Sequence, residues 1–291
     1  MKASEAAAPP FPYLLLPSYY ALRNRTARRE PGDGLRALLF GGIAVGVALV
    51  IFFAVWWVTG ELLGYAELGD YLIRLGLSWL FLTFLSFLAF SGIVTALSTF
   101  FLSEDLRLIV AAPVSARRLF YARFLRTAVQ SGWMVVVFVV PVLLGVGLAR
   151  CASWTYYLTA LLAVTPFVMV PVAAGCLVTL FLVNVFPARR ARDILMLMGL
   201  LFAVALILML RFLQPERLLR VESLPDVTAF FSTLQSPITP LLPSFWAGEA
   251  LFSSLMGRAD LLHLGALWTT ALGLCVLAAM AYERFHFAGW S

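Results

Sequence analysis

LLFGGIAVGVALVIFFAVWWVT, residues 38–59, decides the fold class: it carries no charge, opens just after Arg36 and closes on Trp56 and Trp57. An α-helix rises about 1.5 Å per residue, so about 20 apolar residues cross the roughly 30 Å of bilayer hydrocarbon. In that medium each backbone N–H and C=O needs a partner within the segment, which a helix provides. The paired tryptophans stand where indole rings settle, at interface depth.

Reading outward from this first span, Glu61, Glu67 and Asp70 mark a loop, and a second apolar run covers residues 77–102. A basic loop with Arg107, Arg117, Arg118, Arg123 and Arg126 follows, then a third span over 127–149 and a fourth over 156–186. Pro166 and Pro171 lie inside the fourth and predict a kink or a break, with neighbouring helices taking up the freed carbonyls. Pro187, Arg189, Arg190 and Arg192 form the next turn, a fifth span runs over 194–210, and a sixth over 261–282. Upstream, Phe11 to Tyr20 is apolar and aromatic and precedes Arg23, Arg25, Arg28 and Arg29, the pattern of an interfacial segment. The organisation is thus residues 1–36 as a cytoplasmic and interfacial lead and 37–291 as one six-span domain.

Composition agrees: 62% of the residues are hydrophobic and 12% charged, against about 45–50% and 25% in a soluble domain. The formal charge of +6 sits in short arginine clusters between spans, which reads as topology signal and phospholipid headgroup contact, and excludes nucleic acid as the expected partner. Because the clusters alternate with loops offering only Arg74 and Arg150, both termini are placed in the cytoplasm. The segment VTAFFSTLQSPITPLLPSFWAGEALFSSLMG, residues 227–257, is too apolar for a plain loop and too broken by Pro237, Pro240 and Pro243 to span. It predicts two short interfacial or re-entrant helices, 226–234 and 244–256. Three cysteines without C-x-x-C spacing argue against a zinc site or disulfide framework.

The chemistry is as informative by what is missing. Lys2 is the only lysine, so a phosphate-binding loop of the G-x-x-x-x-G-K-[ST] kind is excluded and any ATP hydrolysis belongs to another chain. No G-x-S-x-G or H-E-x-x-H occurs, and the chain is not expected to be an enzyme or to hold a metal or cofactor. The predicted span interiors hold no acid, and His263 and His286 fall at a helix end and in the tail, which disfavours ion-coupled transport. FLSEDLRLIVAAPVSARRLFYARFL, residues 101–125, is the richest segment. Ser103 is positioned to cap a short helix with Glu104 and Asp105 in its positively polarised first turn. Leu106, Ile109 and Val110 make its apolar face, Arg107 stands beside them, and Pro113 stops it. Ser115 is positioned to cap the following helix. A short helix pinned between two spans is suited to dock on a cytosolic partner, and equally to lie on phospholipid.

Within it, SEDLRLIVAAPVSARRLFYARFL resembles the coupling-helix segment of type 2 ABC-type exporter permeases, in which a short acidic-apolar helix leads through a proline turn into a basic, apolar helix. The layout is similar too: an amphipathic lead, six spans, and paired short helices between the fifth and sixth. The acidic-Gly-Thr pattern many members carry in this helix is absent here. The resemblance implies an all-α integral membrane permease in the bacterial cytoplasmic membrane. By the same resemblance it would assemble as a homodimer or with a related half and couple through Glu104 to Ala112 to a separate cytosolic ATPase that binds ATP and Mg. The segment from Phe11 to Arg29 would be the connecting helix. The alternative is a non-transporting membrane scaffold or assembly factor. Ser91, Thr95 and Ser98 share one face of the second span, and Gly42 and Gly46 form a G-x-x-x-G on the first; both are candidates for a pathway or for tight helix packing.

Overall fold

A computed structural model describes residues 33–101, 115–185 and 239–285, with the single positions Asp193, Gly199 and Val204. Every regular element in these residues is helical: α1 (Asp33–Leu62), α2 (Ala66–Phe101), α3 (Ala116–Met134), a π-helical turn (Val135–Val139), α4 (Val140–Ala149), α5 (Trp154–Val185), a 3₁₀ turn (Thr239–Leu241), α6 (Pro243–Leu255) and α7 (Leu261–Phe285). Among the described residues, five rods are long and apolar enough to cross a membrane: Gly34–Leu62, Leu68–Phe100, Ala116–Ala149, Trp154–Asn184 and Leu261–Arg284. The protein is a multi-pass membrane protein. The interfacial lead 11–29, the docking helix from Glu104 to Ala112 with Pro113, and the short helix 226–234 lie outside the described residues, as does the fifth span 194–210 apart from Gly199 and Val204. Those two positions are helical, and a Cβ built on Gly199 would fall 2.6 Å from Cζ of Phe90 on α2.

The spans differ from the sequence expectation mainly at their ends. The third span is expected over 127–149 behind a separate helix, yet α3 starts at Ala116 and runs through residue 127 as one α-helix to Met134. No glycine or proline falls between Ala116 and Ser131, so nothing separates the arginine-rich turn from the apolar rod. Ser115 holds the N-cap position with extended backbone (φ −65°, ψ 140°), but its hydroxyl makes no capping hydrogen bond. Pro141 has no N–H to offer the carbonyl one turn back, and the π-helical turn immediately before it, Val135–Val139, re-registers the chain there. In the fourth span the expected break is absent: α5 runs continuously through Pro166 and Pro171. Pro166 deprives the Leu162 carbonyl of its intrahelical donor, and Nε1 of Trp268 on α7 donates to that oxygen at 3.0 Å.

α5 forms the centre of the bundle. At one end Phe81, Leu88, Val139, Leu143, Phe167, Leu251 and Leu267 are buried together; at the other, Phe100, Phe120, Phe124, Val172, Cys176 and Tyr282. Small residues set the helix separations. A Cβ on Gly175 would lie 2.8 Å from backbone atoms of Gly92 and Ile93, so α2 and α5 cross in backbone contact, and Oγ1 of Thr179 donates to the Ile93 carbonyl at 3.1 Å beside the crossing. α1 stands apart and packs chiefly on α4, where a Cβ on Gly145 would meet the Phe52 carbonyl at 3.0 Å. Gly42 and Gly46 face away from this contact, with no described atom within 4 Å of a Cβ built on either. That pair therefore packs on no described helix of this chain.

Candidate functional site

Two polar assemblies occupy opposite ends of the bundle. The first gathers the ends of α2, α3 and α7 on either side of residues 102–114. Phe100, Phe120, Phe124 and Tyr282 interlock, with ring centroids of Phe120 5.7 Å from Phe100, 5.8 Å from Phe124 and 5.7 Å from Tyr282. Arg123 is buried at 5% exposure among them. Its Nη1 donates to the Thr99 carbonyl of α2. Thr127 returns a hydrogen bond to the Arg123 carbonyl at 2.9 Å. Arg117, the second residue of α3, grips Glu283 of α7 through two hydrogen bonds of 2.9 Å. Three helix ends are thereby fastened into one unit.

The second assembly surrounds α6, whose position matches the expected short helix 244–256. Gly248 lets α6 lie on α2, since a Cβ there would come 2.9 Å from Oγ of Ser78. Glu249, the one acid in an otherwise uncharged helix, is buried at 8% exposure. It accepts Nε and Nη2 of Arg74 on α2 at 2.6 and 2.8 Å, and the same guanidinium lies 5.8 Å from the Phe252 ring. Arg150, which follows α4, donates to Asp70 of α2 at 2.6 Å and approaches Sδ of Met256 at 3.8 Å. Ser254 bonds Thr159 of α5 at 3.1 Å. Asp260 caps α7: its Oδ1 accepts the His263 backbone N–H at 3.2 Å, and its Oδ2 lies 2.6 Å from Nδ1 of the same residue. Partial burial works to raise the Asp260 carboxyl, but the hydrogen bonds from His263 and Ser253 outweigh it and hold the group below the usual carboxylate value.

Of the residues singled out in the sequence, Ser91 and Thr95 are half-buried on α2 and Ser98 is exposed; Gly42 and Gly46 lie open on α1. Asn184, near the end of α5, donates to the Leu180 carbonyl of its own helix at 2.9 Å. The coupling residues Glu104, Asp105, Leu106, Arg107, Ile109, Val110 and Pro113 lie outside the described residues. Sequence reasoning missed the Arg74–Glu249 pair by treating Arg74 and Arg150 as loop residues. The available signal was isolation: a single acid in PSFWAGEALFSSL and two arginines outside any cluster.

The family model described as "Putative ATP-binding cassette" matches residues 31–291. The chain belongs to this family. No curated protein and no solved structure matches it. Within this ATP-binding cassette family chain, both polar assemblies fall inside the matched region.

Proposed function

We propose that this chain is the membrane-spanning permease subunit of an ATP-binding cassette exporter, with six spans and both termini in the cytoplasm of a bacterial cell. The observation that carries this reading is the fastening of α2, α3 and α7 at the end where residues 102–114 join α2 to α3. Force applied to that connection enters three helices together, which is what a coupling element requires. The family match supports an ATP-driven setting. The single lysine, Lys2, supports hydrolysis of ATP, with its Mg, in a separate cytosolic ATPase. Glu104, Asp105, Leu106, Arg107, Ile109 and Val110, ended by Pro113, form the docking helix. The permease works as a homodimer or with a related half, and ATP-driven closure of the partner tilts the fastened helices to open a path. The chain itself binds no cofactor and performs no catalysis.

The test is an affinity pull-down in mild detergent from native membranes, comparing wild type with a variant carrying Leu106→Asp and Ile109→Asp. A P-loop ATPase should be recovered with wild type and lost from the variant. Recovery of no ATPase by a monodisperse wild-type sample would sink the reading.

A further inference from the structure

The last two turns of α1 carry Trp56, Trp57 and Glu61. With Gly60 and with Ala149, the last residue of α4, these three line a cleft of about 220 Å³. That is below the roughly 300–1,000 Å³ that encloses a whole drug-sized ligand, so the cleft takes a small group carried at the end of a larger molecule. Gly60 keeps it open, since no described atom lies within 4 Å of a Cβ built there.

Charge decides which group. Glu61 is the single charged residue of the lining, and no cation among the described residues pairs with it. It stands in the last turn of α1, which contains no base, so its carboxylate adds to the negative end of the helix dipole. Arg150, one residue beyond Ala149, is held by Asp70. Indole faces attract an ammonium as a carboxylate does, and both rings are open, Trp56 at 44% and Trp57 at 63% exposure. The lining therefore selects a cation and repels an anion.

What carries the cation follows from the rest of α1. Val50, Phe53, Trp57 and Glu61 recur at the three- and four-residue steps of one helix face, and Val50, Phe53 and Trp57 are exposed. From Val50 to Glu61 is about 16 Å at the helical rise per residue, close to half of the roughly 30 Å hydrocarbon thickness. An apolar track one leaflet deep thus leads to an anionic, aromatic head. We propose that the cleft binds the ammonium headgroup of a zwitterionic phospholipid. An acyl chain lies on Val50 and Phe53, and the ammonium sits against Glu61 and the indoles of Trp56 and Trp57. Trp154, 79% exposed at the start of α5 and outside the cleft, is by contrast an ordinary interfacial tryptophan with no means of choosing a headgroup.

The site is tested without a transport or ATPase assay, so its failure is separate from failure of the permease reading. The full chain, with its indole nitrogens labelled with ¹⁵N, is placed in nanodiscs of phosphatidylglycerol that contain rising fractions of phosphatidylethanolamine with the same acyl chains. The Trp56, Trp57 and Trp154 indole resonances are assigned from single Trp→Phe variants. The Trp57 resonance is expected to move and saturate while phosphatidylethanolamine is still the minor lipid, whereas Trp154 moves in proportion to its fraction throughout. Glu61→Gln, at an exposed position, should leave the Trp154 response unchanged and raise the fraction needed for half-saturation at Trp57 about fivefold or more. A Trp57 response that is proportional, like that of Trp154, overturns the site and leaves an ordinary aromatic belt. An unchanged half-saturation in Glu61→Gln overturns it as well.

Discussion

At the scale of single residues, membrane burial turns ordinary side chains into structural commitments. Arg123 lies among aromatic rings, where a guanidinium is retained only if the surroundings answer it; the Thr99 carbonyl does so. Arg123→Leu is expected to lower the thermal midpoint in detergent, with about 1–3 kcal/mol lost from the missing hydrogen bond and disturbed packing, and Arg123→Lys should recover part of it. Gly175→Ala should cost a similar amount, about 1–3 kcal/mol, because the new methyl would sit 2.8 Å from α2 backbone that has no side chain to move aside. A fluorescence-detected melting series checks both. Asp260 gives a pH signature. Its carboxyl is held below the usual value when folded, so its contribution is complete above the ordinary carboxylate pKa of about 4 and fades as pH falls through the lowered value. The difference in melting temperature between wild type and Asp260→Asn should therefore be largest near neutrality and shrink under acid conditions.

At the scale of elements, the apolar rods were legible in sequence because hydrocarbon imposes a length and forbids charge. Residues 38–59 and 261–282 sit inside helices of nearly the expected reach, Asp33–Leu62 and Leu261–Phe285. The short helix at Pro243–Leu255 was legible from its proline start and its insufficient length. What periodicity does not carry is whom a helix touches. The Arg74–Glu249 bridge joins residues 175 positions apart, and the burial of Arg123 follows from how α2, α3 and α7 converge, which no local pattern encodes. The Pro166 expectation illustrates the division: the proline announced a free carbonyl, but only the folded chain shows that Trp268 reaches it and that the helix survives. Trp268→Phe keeps the ring and removes the donor. It should destabilise by about 1–2 kcal/mol and raise hydrogen exchange in α5 around residues 162–166.

At the scale of the whole molecule, α5 with α2, α3, α6 and α7 forms a packed body, while α1 is attached along α4. Gly145 is the point of closest approach, so Gly145→Leu should detach α1 and leave the remaining bundle intact. Limited proteolysis after residue 62, with an unchanged melting transition for the remainder, would record that outcome. The same arrangement leaves most of the α1 surface, including Leu38, Phe40, Ile43 and Val50, exposed and apolar, as lipid contact requires.

The Trp268 hydrogen bond also dates the fold. The ribosome delivers α5 roughly a hundred residues before Trp268, so α5 enters the bilayer with the Leu162 carbonyl still lacking its donor, in a medium where an unsatisfied group costs several kcal/mol. Only when α7 is threaded in does the Leu162 carbonyl acquire its partner. A nascent chain stalled before α7 would present an α5 with that carbonyl unanswered to the cell's membrane proteases, making the entry of α7 a checkpoint for the packing of α5.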